Sequence, residues 1–257
     1  TIFIMIGSTL VLSFFAIILL AYYILKFFVL DTYANRNEVS ALEMPIGFAL
    51  FALLVAFQLW ANIKNTKELC GNIQLTPAVM YTLIPNILVL GGLNMLLGIF
   101  PGWKAPFSNT IGYGITLMLG IKTVFGDMLK TNSGENKILK KIYEDKSILI
   151  NEMTPGPTGN FDKFVTNLGG ENGIWEEKGL ESKLPQLYSL VLIKDYVSEY
   201  LWYILAGFLV ISMSFNSIMG IECKKSEKDL ELQSSRLIAK EKTNAGKANA
   251  PKYKVFD

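Results

Sequence analysis

Histidine is absent from all 257 residues. That removes the commonest metal ligand and the side chain that most often serves as general base near neutrality. Cysteine occurs only as Cys70 and Cys223, and neither belongs to a C-x-x-C pair. Two isolated thiols are too few ligands for a zinc or iron–sulfur site. A Cys70–Cys223 disulfide is open on the sequence, and two free thiols are the simpler expectation because nothing marks the chain as secreted. Arginine is reduced to Arg36 and Arg236, so lysine supplies nearly all the basic charge. The net charge of +2 excludes the concentrated basic face of a nucleic-acid binder.

Charge itself is scarce, at 18% of residues, against about 25% in soluble domains. Mean hydropathy is +0.35 and 51% of residues are hydrophobic. These apolar residues come in blocks of the length a bilayer demands. The expected fold is therefore an all-α integral membrane protein, a bundle of four or five transmembrane helices. Clear spans are expected over residues 1–25, 45–63, 77–100 and 200–221, with a kink at Pro85. A shorter block, 105–121, either spans, re-enters or packs against protein, because it carries Ser108, Asn109 and Thr110 and measures only about 25 Å as a helix. Residues 126–199 form a polar extramembrane segment of about 70 residues with a thin core, beginning in a Lys-rich helix near 135–150. Residues 222–257 form a charged tail, mixed in charge to Lys242 and disordered beyond. Lysines are balanced between the two sides under five spans, so the positive-inside rule gives no orientation.

Small and polar residues recur at helical spacing within the spans. Gly91, Asn94 and Gly98 share one face, as do Gly112, Thr116 and Gly120, and then Ser212, Asn216 and Gly220. Such rows let backbones approach closely and amides bond across helices. They are read as helix-packing faces or self-association surfaces, with a polar conduit from Asn94 and Asn216 as the alternative. Against a conduit stands the lack of ionisable residues inside the spans, where only Lys122 comes near. The carboxylates Asp195/Glu199 and Glu176/Glu177 are read as solvated faces. No phosphate-binding loop and no nucleophile elbow occur, so no enzymatic chemistry, cofactor or metal is expected.

The most individual stretch runs from Phe100 to Gly114 (FPGWKAPFSNTIGYG). Pro101 and Gly102 make a turn, Trp103 anchors it, and Pro106 opens the next helix, with Phe107, Ser108 and Asn109 in its first turn. It reads as a tight interhelical hairpin or as a rigid platform facing a partner. Together with the apolar helices around it and the Lys-rich segment after it, this stretch resembles membrane proteins of the nucleocytoplasmic large DNA viruses, including the phycodnaviruses of algae. The resemblance covers residues 77–150 and carries over no functional residue. It implies a structural, membrane-anchored minor capsid protein that links the internal virion membrane to the capsid shell. That membrane would be host-derived during assembly. The expected partners are then the lipid bilayer, other membrane helices, and capsid proteins contacted through 126–199 and 222–257. A channel or small-solute transporter with a polar helix-bundle path is the alternative.

Overall fold

The computed structural model describes residues 2–38, 40–130, 145–169, 173–223 and 234–235. It is helical throughout, and among the described residues strand pairing is limited to one isolated bridge, Leu129 with Trp175. Helix α1 (Ile2–Leu25) continues as a π-helical turn over Lys26–Leu30. Helix α2 covers Glu43–Cys70. Helix α3 covers Leu75–Ile99 and includes a π-helical stretch, Asn86–Gly91. A 3₁₀ turn, Pro101–Lys104, leads into α4, residues 105–118, which is itself interrupted by a π turn at Ser108–Gly112. Then follow α5 (Ile121–Met128), a 3₁₀ segment Lys146–Glu152, α6 (Phe161–Asn167) and the 43-residue α7, Glu177–Met219.

Four of these helices are long and apolar enough to cross a membrane: α1 with its π turn, α2, α3 and α7. The block 105–121 is not among them. Pro106 sits in the first turn of α4, and Gly120 adopts a left-handed φ of 91° that ends the helical run after Met118. What remains between them is about 21 Å of helix, short of the roughly 30 Å hydrocarbon core. Instead α4 lies against α7 at the level of Lys194, where a Cβ on Gly112 would stand 2.7 Å from the Lys194 carbonyl oxygen. Thr116 is fully buried there as well. The apolarity of 105–121 thus serves a protein–protein face.

Helix α7 belongs to two bodies. Its first half is wrapped by α4, α5, the 3₁₀ segment and α6. The resulting subdomain core contains Phe125, Met128, Ile150, Phe161, Trp175 and Tyr188, all at 3% exposure or less. Trp175 stacks near Phe125 and donates from Nε1 to the Val165 carbonyl at 2.9 Å. The core is therefore thicker than the polar composition of 126–199 suggests, because residues 105–128 contribute to it. The second half of α7 packs in the bundle against α1, α2 and α3.

The bundle is closed by two devices. At the crossing of α1 and α7, Gly207 lies so near Phe15 that a Cβ would stand 2.4 Å from the ring. Between α2, α3 and α7, the Asn62 amide donates to Thr82 Oγ1 and Ser214 Oγ, both at 2.7 Å, and Asn86 donates to Gln58 Oε1 at 2.8 Å. All five of these residues are buried. Asn62→Leu takes the amide donor away from two buried hydroxyls, of which Thr82 keeps its bond to the Ala78 carbonyl, and is expected to cost about 1–3 kcal/mol, read as a lowered midpoint of thermal unfolding in detergent. Gly207→Val overpacks the crossing and should cost about the same, with Gly207→Ala intermediate.

Cys70 and Cys223 form a disulfide, which corrects the expectation of two free thiols. The count of long helices is compatible with the bond. With four long helices in the bundle, the end of α2 and the end of α7 reach the same end of it, opposite the subdomain. The Lys-rich stretch 135–144 and nearly all of the tail beyond Cys223 lie outside the described residues.

Candidate functional site

Where the bundle meets the subdomain, a ring of charged and aromatic residues forms a collar. Four stretches of chain build it, the start of α2 with Glu43 and three others. The π turn after α1 carries Lys26 and leads to Asp31, the Pro101–Lys104 turn presents Lys104, and one face of α7 presents Asp195, Tyr196 and Glu199. Lys104 Nζ lies 2.7 Å from Asp195 Oδ2 and 2.8 Å from Glu199 Oε1. Lys26 Nζ lies 2.6 Å from Glu43 Oε1 and 3.6 Å from Asp31 Oδ2. The Tyr196 hydroxyl donates to Asp31. The side chain of Lys104 is only 18% exposed. Burial works against its charge, but the carboxylates of Glu199 and Asp195 outweigh that and hold the ammonium above the ordinary lysine range.

Asp195 and Glu199 are thus not a solvated face. Their spacing of four residues puts both on the side of α7 that meets the Pro101–Lys104 turn, and Lys104 bridges them. Sequence reasoning missed the site because Lys104 is 91 residues from Asp195 and no local pattern links the two. The one local hint was an i, i+4 acidic pair just before an apolar run, which places charge at the edge of a span.

Beneath the collar lies a cavity of about 720 Å³ between α1, α2, α3 and α7. Its walls are apolar, with Phe15, Leu19, Phe51, Leu54, Leu90 and Leu97, while Lys26, Glu43, Lys104, Asp195 and Glu199 stand at its charged end. The subdomain turn closes over that end with Thr154, Pro155 and Thr158. Asn94 lines the cavity and accepts a 2.9 Å hydrogen bond from the Tyr203 hydroxyl. The π-helical turns at Lys26–Leu30 and Asn86–Gly91 both border this region, and such turns concentrate at functional sites.

The residues singled out in the sequence are distributed unevenly. Gly91 and Gly98 line the cavity and face open space, where an added Cβ would meet nothing within 4 Å. Gly112 and Thr116 are packing residues, against α7, whereas Gly120 is a chain reversal. Ser212 is half-buried, and Asn216 and Gly220 are exposed. The packed face of α7 is instead Gly207, Val210, Ile211, Ser214 and Ile218. Asn94, on α3, meets α7 at Tyr203, more than three turns before Asn216, and Asn216 does not line the cavity that Asn94 lines.

The Pro101–Asn109 stretch folds back on its own chain. Trp202 donates from Nε1 to the Trp103 carbonyl at 2.9 Å, Phe107 packs edge-on against Trp202, and the buried Ser108 faces α7. Pro101, Gly102, Trp103, Pro106 and Asn109 remain exposed at its outer side. The turn therefore anchors the collar, and no side chain in it caps the helix that follows.

No protein family, curated protein or solved structure matches the chain. What the fold defines is a class: an all-helical protein with four helices long and apolar enough to cross a membrane, carrying a helical subdomain at one end.

Proposed function

We propose that this chain is a membrane-embedded scaffold, a non-enzymatic structural protein that holds its helical subdomain at a fixed height and angle over a bilayer. The observation that carries this reading is the uninterrupted α7, which shares one core with the bundle and another with the subdomain. A hinge between anchor and subdomain would suit a gate or a mobile catalyst, but here the joint is a helix braced by the Lys104 ion pairs and by the Tyr196–Asp31 hydrogen bond. Membrane insertion is supported by the outward-facing apolar surface: no more than 28% of each spanning window is buried, and Phe28, Phe48 and Leu88 are each about 70% exposed. A soluble monomer does not carry apolar area on that scale.

In its specific form, the scaffold is a minor capsid protein of an internal virion membrane, with the subdomain meeting the shell. The resemblance of the Pro101–Gly114 stretch supports this form. The span count refines it. The subdomain and the start of the tail at Glu222 leave the bundle at opposite ends, so a shell on one side meets the subdomain and not both. Cross-linking of purified virions, read by mass spectrometry, tests the proposal. Exposed subdomain lysines such as Lys163 and Lys178 should link to capsid proteins. Absence of the chain from purified virions, or links confined to host membrane proteins, would overturn the viral form.

A further inference from the structure

The cavity under the collar combines three properties that a passive anchor does not need. It is about 720 Å³, within the 300–1,000 Å³ typical of small-ligand sites. It is open sideways, because Met44 and Phe48 on α2 line it yet are 84% and 72% exposed. On the α3 side the opening is bordered by Gly91 and Gly98, whose missing side chains leave the space empty. An opening between helices at this depth faces lipid, so the natural entrant is an amphiphile sliding in from the bilayer.

The charged end then selects the headgroup. Three carboxylates, Glu43, Asp195 and Glu199, line the cavity against two ammonium groups, Lys26 and Lys104. Asp31 stands behind Lys26 and makes the network four against two. Both lysines are already shared between two carboxylates each, so the acceptor sites outnumber the donors. A partly buried excess of negative charge is costly unless a cation joins it. A primary ammonium brings both the charge and three N–H donors, and charge-assisted bonds to carboxylates are the strong kind. Tyr22, Tyr23 and Tyr203 also line this end, and aromatic rings near a cation favour it.

We propose that the cavity is a binding site for a membrane lipid with a primary-ammonium headgroup. The ammonium sits among Glu43, Asp195 and Glu199, and an acyl chain runs between Phe15, Leu54 and Leu90. The inference rests on the four helices crossing a bilayer but is independent of what the subdomain docks. Carbonate extraction of membranes tests insertion separately.

The test is native mass spectrometry of the full-length protein, released from micelles carrying phosphatidylethanolamine and phosphatidylglycerol of identical chains. Wild type should retain phosphatidylethanolamine over phosphatidylglycerol by about tenfold. Gly91→Leu with Gly98→Leu fills space that no other atom occupies, so it should abolish retention while the lipid-free melting midpoint stays within a few degrees. Glu43→Gln removes one acceptor at the mouth and should narrow the preference to about threefold or less. Chainless phosphoethanolamine at the lipid's concentration should displace nothing. Equal retention of the two lipids, retention unchanged in the filled cavity, or displacement by the chainless headgroup would each overturn the proposal.

Discussion

Lys104→Met is expected to destabilise the protein by about 3–5 kcal/mol, the largest single effect available outside the apolar cores. Among the described residues, the lysine is the one cation within salt-bridge distance of both Asp195 and Glu199. Removing it leaves the buried Asp195 and the largely covered Glu199 facing each other across one turn of α7. The side chain is replaced by one of similar length and volume, so the loss reports charge and not a cavity. The triple variant Lys104→Met, Asp195→Asn, Glu199→Gln should recover most of the stability, because a neutral set of similar shape no longer carries unpaired charge. Thermal unfolding in detergent, followed by far-UV circular dichroism, reads both. A single variant that melts like wild type would show that the collar does not brace the joint.

Breaking the Cys70–Cys223 bond is the second large effect. It closes a loop of 153 residues, and loss of a native disulfide of this kind costs about 2–5 kcal/mol. Cys70→Ser and Cys223→Ser should lower the unfolding midpoint alike, and the double variant should be no worse than either single one. The bond also carries topological information. Disulfides persist in oxidising compartments, so the α2–α3 turn and the start of the tail are expected to face one, with the subdomain on the opposite side. In intact membrane vesicles, a membrane-impermeant maleimide should label neither cysteine before reduction. After reduction it should label both from the same side. Labelling from opposite sides would mean an odd number of crossings and would overturn the four-span arrangement.

The sequence made the spans easy to find because a bilayer imposes a length and a composition that no other environment does. The block 105–121 was ambiguous for the same reason: its 17-residue scale suits both a marginal span and a buried helix, and only its contact with α7 decides between them. Face assignment was harder. Ser212-Asn216-Gly220 and Gly207-Ser214 both satisfy small-residue spacing, and the difference of a fraction of a turn selects which meets α1 and α2. In a helix that is apolar all round, hydropathy carries no phase information. The polar seam through Asn62, Thr82 and Ser214 was likewise hidden, since each residue is unremarkable alone and the three come together only when α2, α3 and α7 cross. The collar was the least legible of all. Its ion pairs join residues from distant stretches, and charged side chains next to a span read as ordinary boundary markers until packing removes them from water.

Helix α7 fixes a distance as well as an orientation. Its 43 residues measure about 64 Å, roughly twice the 30 Å or so of a hydrocarbon core. The remainder is a post, and the subdomain is built around that post. Such a post cannot be tuned smoothly. Each residue added or removed near Tyr200 shifts the subdomain by only about 1.5 Å but swings it by about 100°, so height and bearing change together. On the scaffold proposed above, lineages that match a different gap between membrane and partner are thus expected to differ by whole turns, in steps of three or four residues.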